Sequence, residues 1–374
     1  MNATRAVSLA LLALAAGCAP ERGDAYLAAF ATGERAFHSG RWDEAAAAWD
    51  GAAGKALRVK DRDEARFLEA RAFERAERWA EARSTLQRLA ADSATGPRTG
   101  RAFFDLALLE IAHGDADKGW KMLDDALCRF PAHGLARPAV RRLVQHAEDT
   151  GGEPAVMAFL DAHEVLRGTE LDEVLAYERA LSLERAGRRK EAHDAFLASA
   201  RRHPYPFGGL TDDAFWHAAT LDDEDGRYDE AIAHLRELLS SREPSGAWSS
   251  YERPRYSQAQ LRIAEIYRDR LGDRAAARRE FDRLYALHTT TVKRDGAVWA
   301  EARLALEDGD TATACALARR LLDEFSDSRY VPCAHEICAT APRAKRECAD
   351  YILRDLHSGK AAAVGPDEKP APPP

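Results

Sequence analysis

Eight turn positions recur along this chain at nearly constant spacing, and that recurrence restricts its fold more than any other feature. Gly40, Glu77, Gly114, Gly151, Gly187, Gly226, Gly272 and Gly309 are separated by 37, 37, 37, 36, 39, 46 and 37 residues. A period of this length marks one small supersecondary unit stacked repeatedly, each copy leaving a face that only its neighbour can cover. Length then loses its usual meaning: 374 residues would suggest two or three ordinary domains, whereas an array grows along one direction.

The pattern around each turn says what the unit is made of. Five residues after the turn stand Ala45, Ala82, Gly119, Val156, Ala192, Ala231, Ala277 and Ala314, a mostly small position. Four further on stand Trp49, Leu86, Leu123, Leu160, Phe196, Leu235, Phe281 and Ala318, bulky in all but the last. A step of four keeps both on one helical face. Seven before the turn lies another small residue in most copies: Gly33, Ala70, Ala107, Ala180, Ala219 and Ala302. Small and large residues alternating about a short turn describe two antiparallel helices in close contact. The composition agrees, with 31% charged and 46% hydrophobic residues, the balance of amphipathic helices packed on one another.

The segments Arg41-Trp42-Asp43-Glu44-Ala45 and Arg227-Tyr228-Asp229-Glu230-Ala231-Ile232 resemble the start of the second helix in tetratricopeptide repeats, and Pro131 and Pro204 close their units as in that family. The resemblance covers residues 26 to about 330, with a period nearer 37 than the family's 34 and a fourth copy, around Gly151, that lacks most signature residues. It implies an all-α fold, a right-handed superhelical solenoid of about eight hairpins over 26–330, ended by a C-terminal helical cap over 331–357. It also implies a groove lined by the first helix of each hairpin. Carrying the family's groove-facing places over unit by unit nominates Arg71, Phe104, Tyr177, Arg185 and Trp216 as partner contacts; Phe104 and Trp216 have core packing as the competing role, since aromatic side chains dominate both cores and hot spots.

At the N-terminus, Arg5 precedes the apolar run Ala6 to Ala16, too short to span a bilayer as a helix, so residues 1–17 are an export signal. Leu14-Ala15-Ala16-Gly17-Cys18 resembles the lipobox of bacterial lipoproteins, with Ala15 where Leu is commoner, and implies lipidation at Cys18 followed by a short linker over 18–25. The alternative is a plain secretory signal cut near Ala16. Ala19 rather than Asp after the Cys suggests the outer membrane by analogy with enterobacterial sorting. The chain is expected to be exported and to face the periplasm. The segments Asp212-Asp213-Ala214-Phe215-Trp216 and Leu321 to Tyr330 are similar to units of outer-membrane assembly lipoproteins and of the Tol-Pal-associated repeat protein.

The spacing of 46 contains an insert, Ser241 to Tyr256, too rich in Pro and Ser for helix, which predicts a long loop. Its Trp248, Tyr251, Arg253 and Arg255 are residue types that dominate binding hot spots, although the aromatics could equally pack the loop on the scaffold. Cys128 stands alone in a helix, while Cys315, Cys333, Cys338 and Cys348 cluster near the end. Hairpin partners are symmetric about the turn, which favours Cys315 with Cys338 and Cys333 with Cys348 as staples of the cap; Cys338 with Cys348 is the main competitor. Cys333, His335, Cys338 and Cys348 are a poor zinc set, because no C-x-x-C pair is present and ligands two and five apart on a helix diverge. Residues 358–374 have no apolar period and end Lys369-Pro370-Ala371-Pro372-Pro373-Pro374, a disordered and partly polyproline II tail.

No nucleophile elbow, phosphate-cradling loop or paired metalloprotease His occurs, and the twelve His are scattered, so no enzyme activity, cofactor, metal or small-molecule substrate is expected. A net charge of −8, or −9 without Arg5, opposes nucleic acid binding. What remains is a scaffold, tethered to a membrane through its N-terminal lipid, that holds a protein or peptide partner of the cell envelope. The competing classes are a cell-wall-processing enzyme built on a helical superhelix, for which repeats and cap leave no room, and a purely structural oligomerising protein.

Overall fold

The computed structural model describes residues 22–92, 98–241 and 254–357. Cys18, Trp248, Tyr251 and Arg253, together with the export signal and the Pro-rich tail, lie outside the described residues. Among the described residues there are seventeen α-helices and two short 3-10 turns, with no strand. None of these helices is long and apolar enough to cross a membrane.

Two compact units divide the chain after Leu175. The first contains the hairpins α1 (Asp24–His38) with α2 (Trp42–Lys55), α3 (Val59–Arg75) with α4 (Trp79–Asp92), and α5 (Thr99–His113) with α6 (Ala116–Arg129), followed by α7 (Ala136–Ala162). The second begins within α8 (Asp172–Arg185), which pairs with α9 (Arg189–Arg202). It continues with α10 (Thr211–Glu224) and α11 (Tyr228–Ser240), α12 (Pro254–Asp269) and α13 (Arg274–Leu287), and α14 (Arg294–Glu307) and α15 (Thr311–Glu324). Two short helices, α16 (Ala334–Ile337) and α17 (Asp350–His357), close it.

The turn inside each hairpin has a chemical cause. Gly40, Gly187, Gly226 and Gly309 have φ between 73° and 77°, a left-handed conformation that a Cβ disfavours, and the residue after each donates its N–H five positions back. Arg41 N–H reaches Ala36 O at 2.9 Å, Arg188 reaches Leu183 at 2.9 Å, Arg227 reaches Asp222 at 2.8 Å and Asp310 reaches Ala305 at 2.9 Å. This Schellman closure ends the first helix and aims the chain back within three residues. Glu77 makes the same turn at φ 57° without being glycine, and Arg78 N–H still reaches Phe73 O at 2.8 Å. The left-handed backbone costs about 1–2 kcal/mol for such a residue, and the surrounding packing covers that cost.

Close helix contact then explains the small positions. All eight residues five after the turns are buried, as are all eight at the bulky place. A Cβ on Gly119 would stand 2.6 Å from the backbone N of Ile111, and one on Gly33 would stand 2.5 Å from the Trp49 indole. Ion pairs one period apart tie consecutive copies on the outside: Arg78 with Asp43 at 2.6 Å, Arg98 with Glu64 at 2.7 Å, Arg189 with Asp225 at 2.7 Å and Arg274 with Asp308 at 2.8 Å. Each such exposed pair contributes only ~0.2–1 kcal/mol, so they set register more than stability.

Four expectations change. Gly114 has φ −143° and no left-handed turn; the Glu110 carboxylate and Arg83 Nη2 occupy the space where a Cβ would stand, so a side chain there would have to displace the ends of both. The fourth turn falls at Gly152 (φ 64°) rather than Gly151, bending α7 into two arms, with Pro154 in the first turn of the second arm, where its missing N–H is not needed. The insert ends earlier than Tyr256, because Pro254 opens α12 in the same way and Tyr256 is buried, its hydroxyl donating to Ser241 O at 3.0 Å.

The cap is the fourth. It is helical only over 331–337 and 350–357, and 338–349 is irregular, a stretch where Pro342 lacks the N–H a helix interior requires. Disulfides Cys315–Cys338 and Cys333–Cys348 hold it instead, with Cα atoms 4.8 Å and 4.7 Å apart, and leave those thiols unable to ligate zinc. Cys333, Ile337, Cys338 and Ile352 complete one apolar cluster with Trp299, Leu317 and Leu321, and Arg303 Nη2 donates to Asp355 O at 3.0 Å, drawing α17 onto α14.

Candidate partner-binding surface

In the second unit, α10 and α12 are the first helices of consecutive hairpins, and their facing sides bring together residues 42 positions apart. Arg255, in the first turn of α12, lays its guanidinium 5.1 Å from the Trp216 ring, donates from Nε to Asp213 Oδ1 at 2.6 Å and from Nη1 to Gln258 Oε1 at 3.0 Å. Asp213 and Trp216 share one face of α10 by their three-residue spacing, so a single arginine bridges a carboxylate and an aromatic face. Trp216 is half-buried and about a third of each of the Arg255 and Asp213 side chains is exposed. A cation over an aromatic face contributes ~0.5–1 kcal/mol at such a site, which fixes the ring without removing it from solvent.

The neighbouring groups hold this arrangement in place. His217 stacks on Phe196 with centroids 4.7 Å apart, and its Nδ1 lies 3.0 Å from Glu184 Oε2 on α8. Tyr177 is buried, its ring 5.7 Å from Phe196 and 6.0 Å from His217. Burial, and next the charge of Asp213, push the Tyr177 phenol far above its usual range, so it stays neutral. Further along α12, Arg262 pairs with the buried Asp223, and burial raises the Glu265 carboxyl. The result is a half-open aromatic face bordered by both signs of charge.

The first unit carries a different surface. Arg71 on α3 bonds Glu74, whose carboxyl is raised by burial and lowered by Arg71, while Arg101 Nε donates to Asp105 on α5. Phe104 is 1% exposed and stacks on His133 at 5.1 Å, so it is a core residue and not a partner contact. Gly100 makes room for this: His133 and Phe130 each come within 3.3 Å of where its Cβ would be, His133 stacking on Phe104 and Phe130 lying 5.3 Å from Phe103. Tyr177, though its ring is 6.0 Å from His217, is likewise buried rather than presented to a partner. Arg71 is 39% exposed, and Arg185 is exposed at the end of α8.

Asp213, His217 and Glu184 were not legible as members of this surface, because their role depends on which helix faces which. A second juxtaposition was also missed. His193 on α9, Asp222 on α10 and His234 on α11 bring three ligand atoms within 4.8 Å of one another, although the scattered His of the sequence suggested no site.

One half-buried carboxylate is expected to make the stability of the second unit depend on pH. Glu301 on α14 is half-buried with no hydrogen-bond partner on Oε2. Burial, with the charge of Asp282 second, pushes its carboxyl up to about 7 against Arg278 and Arg320. The folded chain therefore binds a proton between about pH 4.5 and 7 that the unfolded chain has released, so stability falls as pH rises through that window. Glu301→Gln is expected to flatten this slope, by on the order of 1 kcal/mol once solvent screening is allowed for. Urea midpoints at pH 5 and pH 8 for both proteins check it; equal pH dependence in the two would refute it.

Residues 64–93 and 258–290 match the family model of the tetratricopeptide repeat. These stretches fall on α3–α4 in one unit and α12–α13 in the other, so both units contain repeats of that type. Solved structures are similar at low identity. The C-terminal part of a TPR repeat-containing protein from Cytophaga hutchinsonii is 14% identical over 72% of this chain and 98% of its own, with a TM-score of 0.43. Pseudomonas aeruginosa PilF is 17% identical over 61% of this chain and 93% of its own, at 0.35. A tetratricopeptide repeat protein from Parabacteroides merdae is 13% identical over 74% and 98%, at 0.33. No curated protein matches the chain.

Proposed function

We propose that this chain is a non-catalytic scaffold of the bacterial cell envelope, lipid-anchored through Cys18 at the outer membrane, that holds a protein or peptide partner on the first-helix face around Trp216. Arrays of the tetratricopeptide type serve protein–protein interaction, and the observation that carries the placement is the Trp216–Arg255–Asp213 group. A rigid, half-open indole bordered by an arginine and a carboxylate gives a peptide an apolar anchor and two charges that orient it. The anchor rests on the small residues before Cys18, and the outer-membrane assignment on Ala19.

Two measurements test the two halves. Photo-crosslinking in cells from a probe at Gln258, beside Arg255, is expected to capture a discrete partner. Trp216→Ala and Arg255→Glu should each reduce its yield at least tenfold, since hot-spot truncation costs ~2 kcal/mol or more. Circular dichroism should be unchanged. Undiminished yield in both variants would place the partner elsewhere. Separately, Cys18→Ser is expected to move the protein from the membrane to the soluble periplasmic fraction; retention in the membrane would remove the lipid anchor.

A further inference from the structure

The structure assigns a second kind of site to this chain: a binding place for one divalent transition-metal ion of the zinc class, held by His193, Asp222 and His234. Asp222 is fully buried, and its carboxylate lies 3.1 Å from His193 Nε2 and 2.8 Å from His234 Nδ1. Arg227 Nε donates to Oδ1 of the same carboxylate at 2.9 Å. The guanidinium thus caps Oδ1, while Oδ2 lies within reach of both imidazoles and His193 Nε2 stands equally near Oδ1, at 3.1 Å. The three ligand atoms lie within 4.8 Å of one another, and tetrahedral zinc with bonds of about 2.0–2.2 Å keeps its ligands roughly 3.4 Å apart, so small side-chain shifts suffice.

A second observation bears on the tautomer that a metal would need. The far nitrogen of His193, Nδ1, lies 3.3 Å from Asp194 Oδ1. Metal-ligating imidazoles characteristically donate that other N–H to a carboxylate, which fixes the tautomer and turns the lone pair toward the ion. In place of its present contact with Asp222, each imidazole would turn the lone pair of its near nitrogen to the ion and carry its proton on the far nitrogen. Two nitrogens and one oxygen suit zinc and its first-row neighbours rather than calcium or magnesium, which prefer oxygen alone. The imidazoles are 15% and 14% exposed, enough to admit an ion and to leave a fourth position for water. Because the ligands come from α9, α10 and α11, the ion would pin two consecutive hairpins of the second unit.

Titration of the purified full chain with Co2+ tests this through the visible absorption of a low-coordinate site. We expect saturation at one equivalent, displacement by Zn2+, and a higher Tm with Zn2+ present. The double variant His193→Gln/His234→Gln, checked for folding by circular dichroism, should lose the absorption and bind at least about tenfold more weakly. Cys128→Ser, removing the free thiol found among the described residues, and His146→Gln, whose ring stacks on Trp120, should keep both. Wild-type binding in the folded double variant, loss of the band in Cys128→Ser, or no saturable Co2+ binding to the wild type would overturn the site.

Discussion

Phe281→Ala is expected to destabilise the second unit by about 3–5 kcal/mol, the range for deleting a fully buried aromatic ring. Phe281 on α13 is 0% exposed and fills the space between three helices, against Leu261 and Ala264 on α12, Ala277 and Leu284 on its own helix, and Ala297, Ala300 and Leu304 on α14. Its neighbours are mostly alanine, whose side chains are too short to move into the void, so the cavity stays open. The Arg268 guanidinium, 5.6 Å from the ring centroid, loses its aromatic face as well. Repeat arrays unfold by neighbouring copies, so the loss should appear first as faster amide hydrogen exchange in α12 to α14 and then as a lower urea midpoint. Leu271→Ala, at a position 40% exposed in the adjoining turn, should change stability by less than about 0.5 kcal/mol. Equal effects of the two substitutions would mean the packing around Phe281 is not what holds these helices.

Reduction of the two disulfides is expected to destabilise the C-terminal end by about 2–4 kcal/mol. The bonds close loops with sequence separations of 23 and 15 residues, and constraining loops of that size in the unfolded chain contributes about 3 kcal/mol each. The loops interlock, because Cys333 lies inside the first and Cys338 inside the second, so the combined effect should be less than additive. Irregular backbone over 338–349 has little else to hold it. Trp299, 2% exposed and stacked on Tyr330 at 5.1 Å, reports on this cluster through its fluorescence. A urea titration with and without reductant, repeated on Cys333→Ser/Cys348→Ser, checks the expectation, and limited proteolysis should open first within 338–349. An unchanged midpoint in reductant would show that the apolar cluster alone suffices.

Much of the helical arrangement was legible because its physics is local. A left-handed glycine such as Gly226, a small residue five later and a bulky one at nine describe a turn and two touching faces whatever surrounds them. The exceptions are local failures with nonlocal causes. At Gly114 the Glu110 and Arg83 side chains fill the space a Cβ would take while its φ is not left-handed, and the break in α7 falls one residue later, at Gly152, ahead of Pro154.

The candidate surface was less legible, since a residue's place on a helix does not tell how far the next loop descends over it. Phe104 and Trp216 occupy comparable positions in their repeats, yet one is buried with His133 stacked on it, while the other keeps an open face under Arg255. Spacing alone thus specified the period, the helix pairing and the small-to-large complementarity, because each depends on contacts within one copy or at a constant offset from it. The meeting of Asp213, Trp216 and Arg255, and of His193, Asp222 and His234, depends on the register between copies, where backbone translations of a few ångström decide which polar side chains touch.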